Sequence, residues 1–290
     1  MVISLLATLI CSCVKTPPDQ KTIVEFSNLT VLEVYSNSDS GNHAQEYPLW
    51  SSEKVLDHVD PSAPEKYTVK FNGTKYIGDY QDSYVAYGAS YISHEYSVDD
   101  IKFTINADTG ELTSFRHTKN PYPQYNTHGE AECRKIADEF AGKHIDVSNY
   151  KVTADFTAEL NRYKFTYDRM IGQLQTSEYL TVTVDTSGNI ISFTSSMLNS
   201  LKNVVNVVYD EEKVIDAIEN KLKSIYKDVG NYEGYEVEGF FITKLKDGGY
   251  GFFYSVAAEF ERIDLGDGTY YRPSTLINLL VKGSTTKLAN

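Results

Sequence analysis

The chain has 290 residues and a formal net charge of −13 at pH 7, enough length for two or three small domains with cores of their own. No segment is net basic, which excludes the clustered Lys/Arg footprint of a nucleic-acid binder and the basic face of a helix that lies on an acidic membrane. Tyr (23) and Phe (13) against a single Trp, in a composition 41% hydrophobic, favour strands.

Residues 2–10 (VISLLATLI) form an apolar run far short of the roughly 20 residues that span a bilayer. They read as the h-region of a signal peptide. The run leads into Ile10-Cys11-Ser12-Cys13, which resembles a bacterial lipobox with an aliphatic residue at −3 and a small one at −1. Cys13 is therefore the expected lipidation site; Cys11 fits less well, because bulky Ile10 precedes it. No Lys or Arg comes before Lys15, a departure from the charged opening of such peptides. Residues 1–13 are assigned to the signal peptide and 14–21 (VKTPPDQK) to a polar tether, with the protein lipid-anchored on the extracellular face of a bacterial membrane.

Residues 22–35 (TIVEFSNLTVLEVY) read as a strand of the first unit, 22–120. Residues 51–66 offer only Val55, Leu56 and Val59 before Pro61 and Pro64 end any helix, so this unit is mostly β. Residues 67–96 read as hairpin plus meander, with Asn72-Gly73 as the turn. Tyrosines are dense there. Tyr76, Tyr80 and Tyr84 are candidates for a contact surface of rigid, low-entropy side chains, with cross-strand aromatic pairing as the structural alternative.

Residues 101–115 (IKFTINADTGELTSF) and 180–193 (LTVTVDTSGNIISF) are two copies of one hairpin: an alternating strand, an Asp/Ser/Gly turn, and a second strand ending Ser-Phe. Residues 130–143 carry Cys133, Ile136, Ala137 and Phe140 at helical spacing, which makes Cys133 a small buried hydrophobe. Residues 210–227 place Val214, Ile218, Leu222 and Ile225 on one stripe. Asp146-Val-Ser-Asn-Tyr150 after the first helix returns as Asp228-Val-Gly-Asn-Tyr232 after the second, and Tyr163-Lys-Phe-Thr-Tyr167 returns as Tyr250-Gly-Phe-Phe-Tyr254. The repeating unit is a helix followed by three or four antiparallel strands, which makes two layers. Its boundaries fall near residues 121–123 and 199–206, giving units 121–200 and 201–290. The third copy lacks the final hairpin. The fold class is α+β: tandem small two-layer domains, each a helix on an antiparallel sheet, the first copy mostly β.

The helix of 130–143, the strand of 163–169 and the Asp-x-x-Gly hairpin ending at Phe193 resemble the PepSY-like repeat of secreted bacterial proteins. That resemblance implies modules found in tandem in surface lipoproteins and in the propeptides of secreted metalloproteases. It covers the middle third well, the last third in part, and the first only through its hairpin.

Motifs for chemistry are scarce. The chain has no Gly-x-Ser-x-Gly, His-Glu-x-x-His or phosphate-loop pattern, and its six histidines are scattered, so they are expected on surfaces and loops. The acidic turns at 108–111 and 264–268 lack the alternating carboxylate spacing of a calcium loop. No metal and no cofactor is expected. The favoured function is a noncatalytic binding or regulatory lipoprotein contacting a secreted peptidase, a peptide or a wall polymer. The alternative is a surface hydrolase built from dispersed Asp and Glu, which leave no linear motif.

Overall fold

The computed structural model describes residues 21–34, 60–85, 91–119, 127–245 and 247–289. The expected signal peptide at residues 1–13, with Cys13, and the stretch before Asp60 lie outside the described residues.

Strand β1 (Thr22–Val34) comes first. An antiparallel meander follows: β2 (Lys66–Phe71), β3 (Thr74–Val85), β4 (Ile92–Val98), β5 (Ile101–Asn106) and β6 (Leu112–His117). Helix α1 (Glu130–Ala141) leads to a second meander of β7 (Tyr150–Thr157), β8 (Arg162–Ile171), β9 (Leu174–Asp185) and β10 (Ile190–Ser196). Strand β11 (Val204–Val208) occupies the expected boundary at 199–206 and precedes α2 (Glu211–Ile225). The chain ends with β12 (Tyr232–Lys244), β13 (Tyr250–Phe260), the short pair β14 (Ile263–Asp264) and β15 (Tyr270–Tyr271), and β16 (Ser274–Ala289). The class is α+β and dominated by strands.

The helices form where their apolar spacing demands. In α1, Cys133, Ala137 and Phe140 are buried, and the Glu132 carboxylate reaches back to accept from the Gly129 N–H at 3.0 Å, half of a capping box. Asp138 on its outer flank accepts from the Tyr167 hydroxyl at 2.7 Å and from Arg134 Nε at 2.8 Å, which bolts α1 to β8. In α2, Val214, Ile218 and Leu222 are buried and Asp210 caps the first turn through the Lys213 N–H.

Where separate sheets were expected, the strands of all three units hydrogen-bond into one sheet, ordered β2-β3-β4-β5-β6-β10-β9-β12-β13-β16-β1-β11, with β8 on the other flank of β9 and β7 beyond it. The halves meet at one parallel pairing, Thr176 with Ile242, on the stretch of β9 that β10 does not reach. Two apolar cores lie along this sheet. One gathers Tyr96, Phe103, Phe115, Phe165 and Phe193 under α1; the other gathers Val24, Phe252, Val256, Leu279 and Val281 under α2. The helices sit differently over their strands: α1 lies on β8 and β9, α2 on β1 and β16.

Strand β1 corrects the expectation that residues 22–35 join the first unit. It pairs antiparallel with β16, from Thr22 opposite Ala289 to Val34 opposite Asn278, and parallel with β11. Beside β16, β1 takes the place that β10 takes beside β9. The physical reason is the edge: without β1, β16 would expose the unpaired backbone groups of residues 278–289, a template for aggregation. Val24 and Phe26 seat the strand in the second core, and Lys221 of α2 reaches Glu33 at 2.9 Å.

The β2–β3 hairpin turns through Asn72 (φ 46°) and Gly73 (φ 84°), a left-handed pair as an Asn-Gly hairpin requires. It then folds over the sheet face. Phe71 stacks on Phe115 at 4.0 Å and meets Phe193 and Phe140. A Cβ at Gly78 would lie 2.6 Å from the Phe103 ring, so only glycine lets the strand pass so close.

Candidate functional site

The hairpin fold brings five loop segments around one cleft of about 1040 Å³. Its floor is aromatic and apolar: Phe71, Phe140, Phe193 and Leu180. The rim is polar, drawn from the β2–β3 turn (Lys70, Asn72), the β5–β6 turn (Asp108, Glu111), the end of α1 (Lys143, His144), the loop after β10 (Asn199, Ser200) and the end of β12 (Lys244). Three lysines in a chain of net charge −13 make this rim more cationic than the rest. His144 stacks on Phe193 at 6.0 Å and meets Phe140 at a tilt of 45°, 5.0 Å away. Loss of solvation, with Lys143 beside it, pushes its imidazole below the ordinary histidine range against the pull of Glu111, so it is neutral at pH 7 and presents an uncharged ring to the cleft.

One wall of the cleft is held by a buried carboxylate. Glu178, on β9, accepts from the hydroxyls of Tyr150 and Ser200, each at 3.1 Å, and from the Leu201 N–H. Two of these donors, Ser200 and Leu201, fix the loop after β10 against β9, and Asn199 precedes them with φ 61°. Burial raises the Glu178 pKa, opposed by these three hydrogen bonds. Nothing in the linear sequence marked Glu178; its partners come from β7 and from the loop after β10.

The candidate tyrosines part company. Tyr76 and Tyr80 are half-buried against the first core, Tyr76 against Phe115 at 5.3 Å and Tyr80 against Tyr96 at 5.8 Å. A bulge lies between Tyr80 and Asp82 and reverses the alternation, so Tyr84 faces the opposite side, near Glu95 and Thr104. The structure brings the first two together in cross-strand aromatic packing and leaves the third apart; they form no common exposed face.

The same bulge assembles a polar chain that linear spacing conceals. The Asp60 N–H donates to Tyr80 Oη at 2.9 Å, Tyr80 Oη lies 2.6 Å from Ser83 Oγ, and Ser83 Oγ lies 2.8 Å from His94 Nδ1. His94 Nε2 faces Asp60 Oδ2 at 3.8 Å, so the chain returns to the residue where it began. The order that satisfies every group runs Asp60 N–H to Tyr80, Tyr80 O–H to Ser83, Ser83 O–H to Nδ1, with the His94 proton on Nε2. Ser, His and Asp are the residue types of a nucleophilic relay. Ser83 and His94 are only 5% and 6% exposed, however, and neither lines the cleft. The network instead ties residues 60–62 onto β3 and β4. His94 thus corrects the expectation that every histidine lies on a surface or loop.

Cys133 is free and fully buried, as its place in the helical pattern implies, and burial pushes its thiol up to about 11. Both acidic turns are hairpin tips. In the second, Asp264 and Asp267 accept from the backbone N–H groups of Gly266 and Thr269, the local bonding for which turns select Asp. Among the described residues, no group of three or more His, Cys, Asp and Glu side chains could hold a metal ion, and no helix is long and apolar enough to cross a membrane.

No curated protein matches the chain. Among solved structures, the Bacillus megaterium YpeB C-terminal domain is similar at 11% sequence identity, covering 78% of this chain and 89% of that one, with a TM-score of 0.30; nothing is carried over at that level of superposition. The family described as the YcdB, YcdC repeated domain, DUF4901, matches residues 21–197. A family of repeated domains agrees with the duplicated hairpins and helices. The match takes in β1, both meanders and α1, more than half of the chain, and this protein belongs to that family.

Proposed function

We propose that the chain is a noncatalytic binding module that holds an extended peptide segment of a partner in the cleft between the β2–β3 turn, the β5–β6 turn and the end of α1. The observation that carries this reading is the aromatic floor of Phe71, Phe140 and Phe193 beneath a rim of lysines, carboxylates and amides from five segments. Apolar floors with a few placed polar groups suit ligands that combine both characters. Charges of both signs on the rim favour a peptide, among the expected partners, over a uniform wall polymer. Asp108 and Glu111 sit on one turn rather than on opposing walls, which argues against a pair of carboxylates flanking a scissile bond.

The test is an array of short peptides probed with the full chain, with hits titrated by calorimetry. Lys143→Glu combined with Asn199→Ala should weaken a true ligand at least tenfold without unfolding the protein. Turnover of a peptide, glycan or ester substrate that disappears in Glu111→Gln would overturn the reading in favour of the hydrolase.

The site of action in this proposal is the outer face of a bacterial membrane, with diacylglycerol on Cys13 and residues 14–21 as the tether. A tether raises effective concentration near surface partners and lets weak contacts act together. Mass spectrometry of the membrane fraction should find a mature chain that begins at a lipidated Cys13; a chain retaining Met1 would refute the anchor.

A further inference from the structure

Strands β13 and β16 continue past the end of the sheet as an arm. Beyond the pairing of Glu259 with Ser274, the chain runs out through β14, turns at Gly266 and Gly268 (φ 83° at both), and returns through β15, with Ile263 opposite Tyr271 and Asp264 opposite Tyr270. Strand alternation puts Ile263, Leu265 and Tyr271 on one face of this ribbon. Each is half exposed or more: Ile263 50%, Leu265 59% and Tyr271 55%, with Tyr270 on the other face at 62%. An isolated two-stranded ribbon is marginal in water, and these apolar side chains, about half exposed, stabilise it only in part. A partner laid on this face would bury the apolar surface that remains.

The charges around the arm say what that cover is made of. Glu261, Asp264 and Asp267 lie on it. Arg272 at its base is already taken up by Glu233 and Glu259, each at 2.9 Å. Arg262 alone opposes the remaining carboxylates on the arm. We infer that the β14–β15 arm is a docking element for a cationic, apolar segment of a partner protein, whose large side chains cover Ile263, Leu265 and Tyr271 while its Lys or Arg residues meet the carboxylates. An acidic membrane surface is repelled by the same charges, and a second copy of this arm would bring like charges together. The surface is independent of the cleft. Lys244, on the cleft rim, pairs with Tyr250 at one end of the β12–β13 hairpin, while Tyr232 pairs with Phe260 at the arm end, about 40 Å away at the rise of a strand.

The experiment titrates the full chain with an alternating Lys-Leu peptide and, as control, an alternating Glu-Leu peptide. The Lys-Leu peptide should bind and the control should not. Leu265→Ser with Tyr271→Ser should weaken binding at least tenfold, Glu261→Lys should weaken it as well, and added salt should weaken it further. Lys143→Glu in the cleft should leave it unchanged, which separates failure here from failure of the cleft reading. All these side chains are exposed, so circular dichroism of the variants should match the parent. Binding that survives both variants overturns the proposal. So does self-association in sedimentation that the arm variants abolish, or flotation with vesicles that depends on Leu265 and Tyr271.

Discussion

The hydroxyl oxygen of Ser83 lies 2.8 Å from Nδ1 of His94, and the two residues meet only because a bulge before Asp82 turns the strand. Their hydrogen bond is the centre of a chain that starts and ends at Asp60, and it makes His94 a buried neutral histidine rather than a surface one. Burial holds its pKa below the ordinary value, against the pull of Asp60.

That shift fixes the sign of a pH dependence. A histidine whose folded pKa is depressed binds its proton more readily in the unfolded chain, so its contribution is fully present above about pH 6.5 and is lost as pH falls toward the folded value. Urea unfolding between about pH 5 and 8 should show stability falling on the acid side. His94→Asn should flatten that slope. Parallel curves for parent and variant would show that His94 does not carry it.

Glu178 makes the opposite case. Its folded pKa is raised by burial, so the unfolded chain releases the proton first and stability falls as pH climbs from the ordinary carboxylate value through the raised one. Glu178→Gln should remove that fall and keep the fold, because an amide oxygen still accepts from Ser200 or Leu201. Glu178→Ala orphans Tyr150, Ser200 and the Leu201 N–H together, and should cost about 2–4 kcal/mol in urea titration. It should also weaken any ligand of the cleft, since Asn199 and Ser200 line it.

Gly78→Ala tests the fold of the β2–β3 hairpin over the sheet. A methyl group 2.6 Å from the Phe103 ring and 3.0 Å from Tyr96 Cβ must push the strand or the ring aside, at about 1–3 kcal/mol. Gly73→Ala, in open space but at φ 84°, should act through backbone strain alone. A thermal shift for Gly78→Ala no larger than for an exposed strand residue would count against the close approach.

Removing residues 1–34 tests the unexpected placement of β1. Amide exchange should accelerate in β16 and α2, which lose Val24, Phe26 and the Lys221–Glu33 pair, while β4, β5 and β6 keep their protection. If the meander were the part to open, β1 would belong with the first unit.

Elements bound by neighbours in the chain are legible in the amino-acid sequence. The Asn72-Gly73 turn, the hairpins at β5–β6 and β9–β10, and the buried stripes of both helices follow from backbone preferences and periodicity within a few residues. So does the burial of Cys133. Membership of a repeat family follows from matched segments because duplication preserves local pattern.

Pairing between distant residues settles the rest. Nothing within residues 22–34 tells β1 to leave the neighbouring meander and cover β16; that choice satisfies the backbone groups of an edge more than 240 residues away. A single bulge separates Tyr84 from Tyr76 and Tyr80 and seats His94 beside Ser83, a one-residue change in parity that composition does not reveal. The cleft is likewise a product of convergence, with each of its five segments an ordinary turn or helix end until the hairpin at Gly78 folds over Phe103 and draws them together.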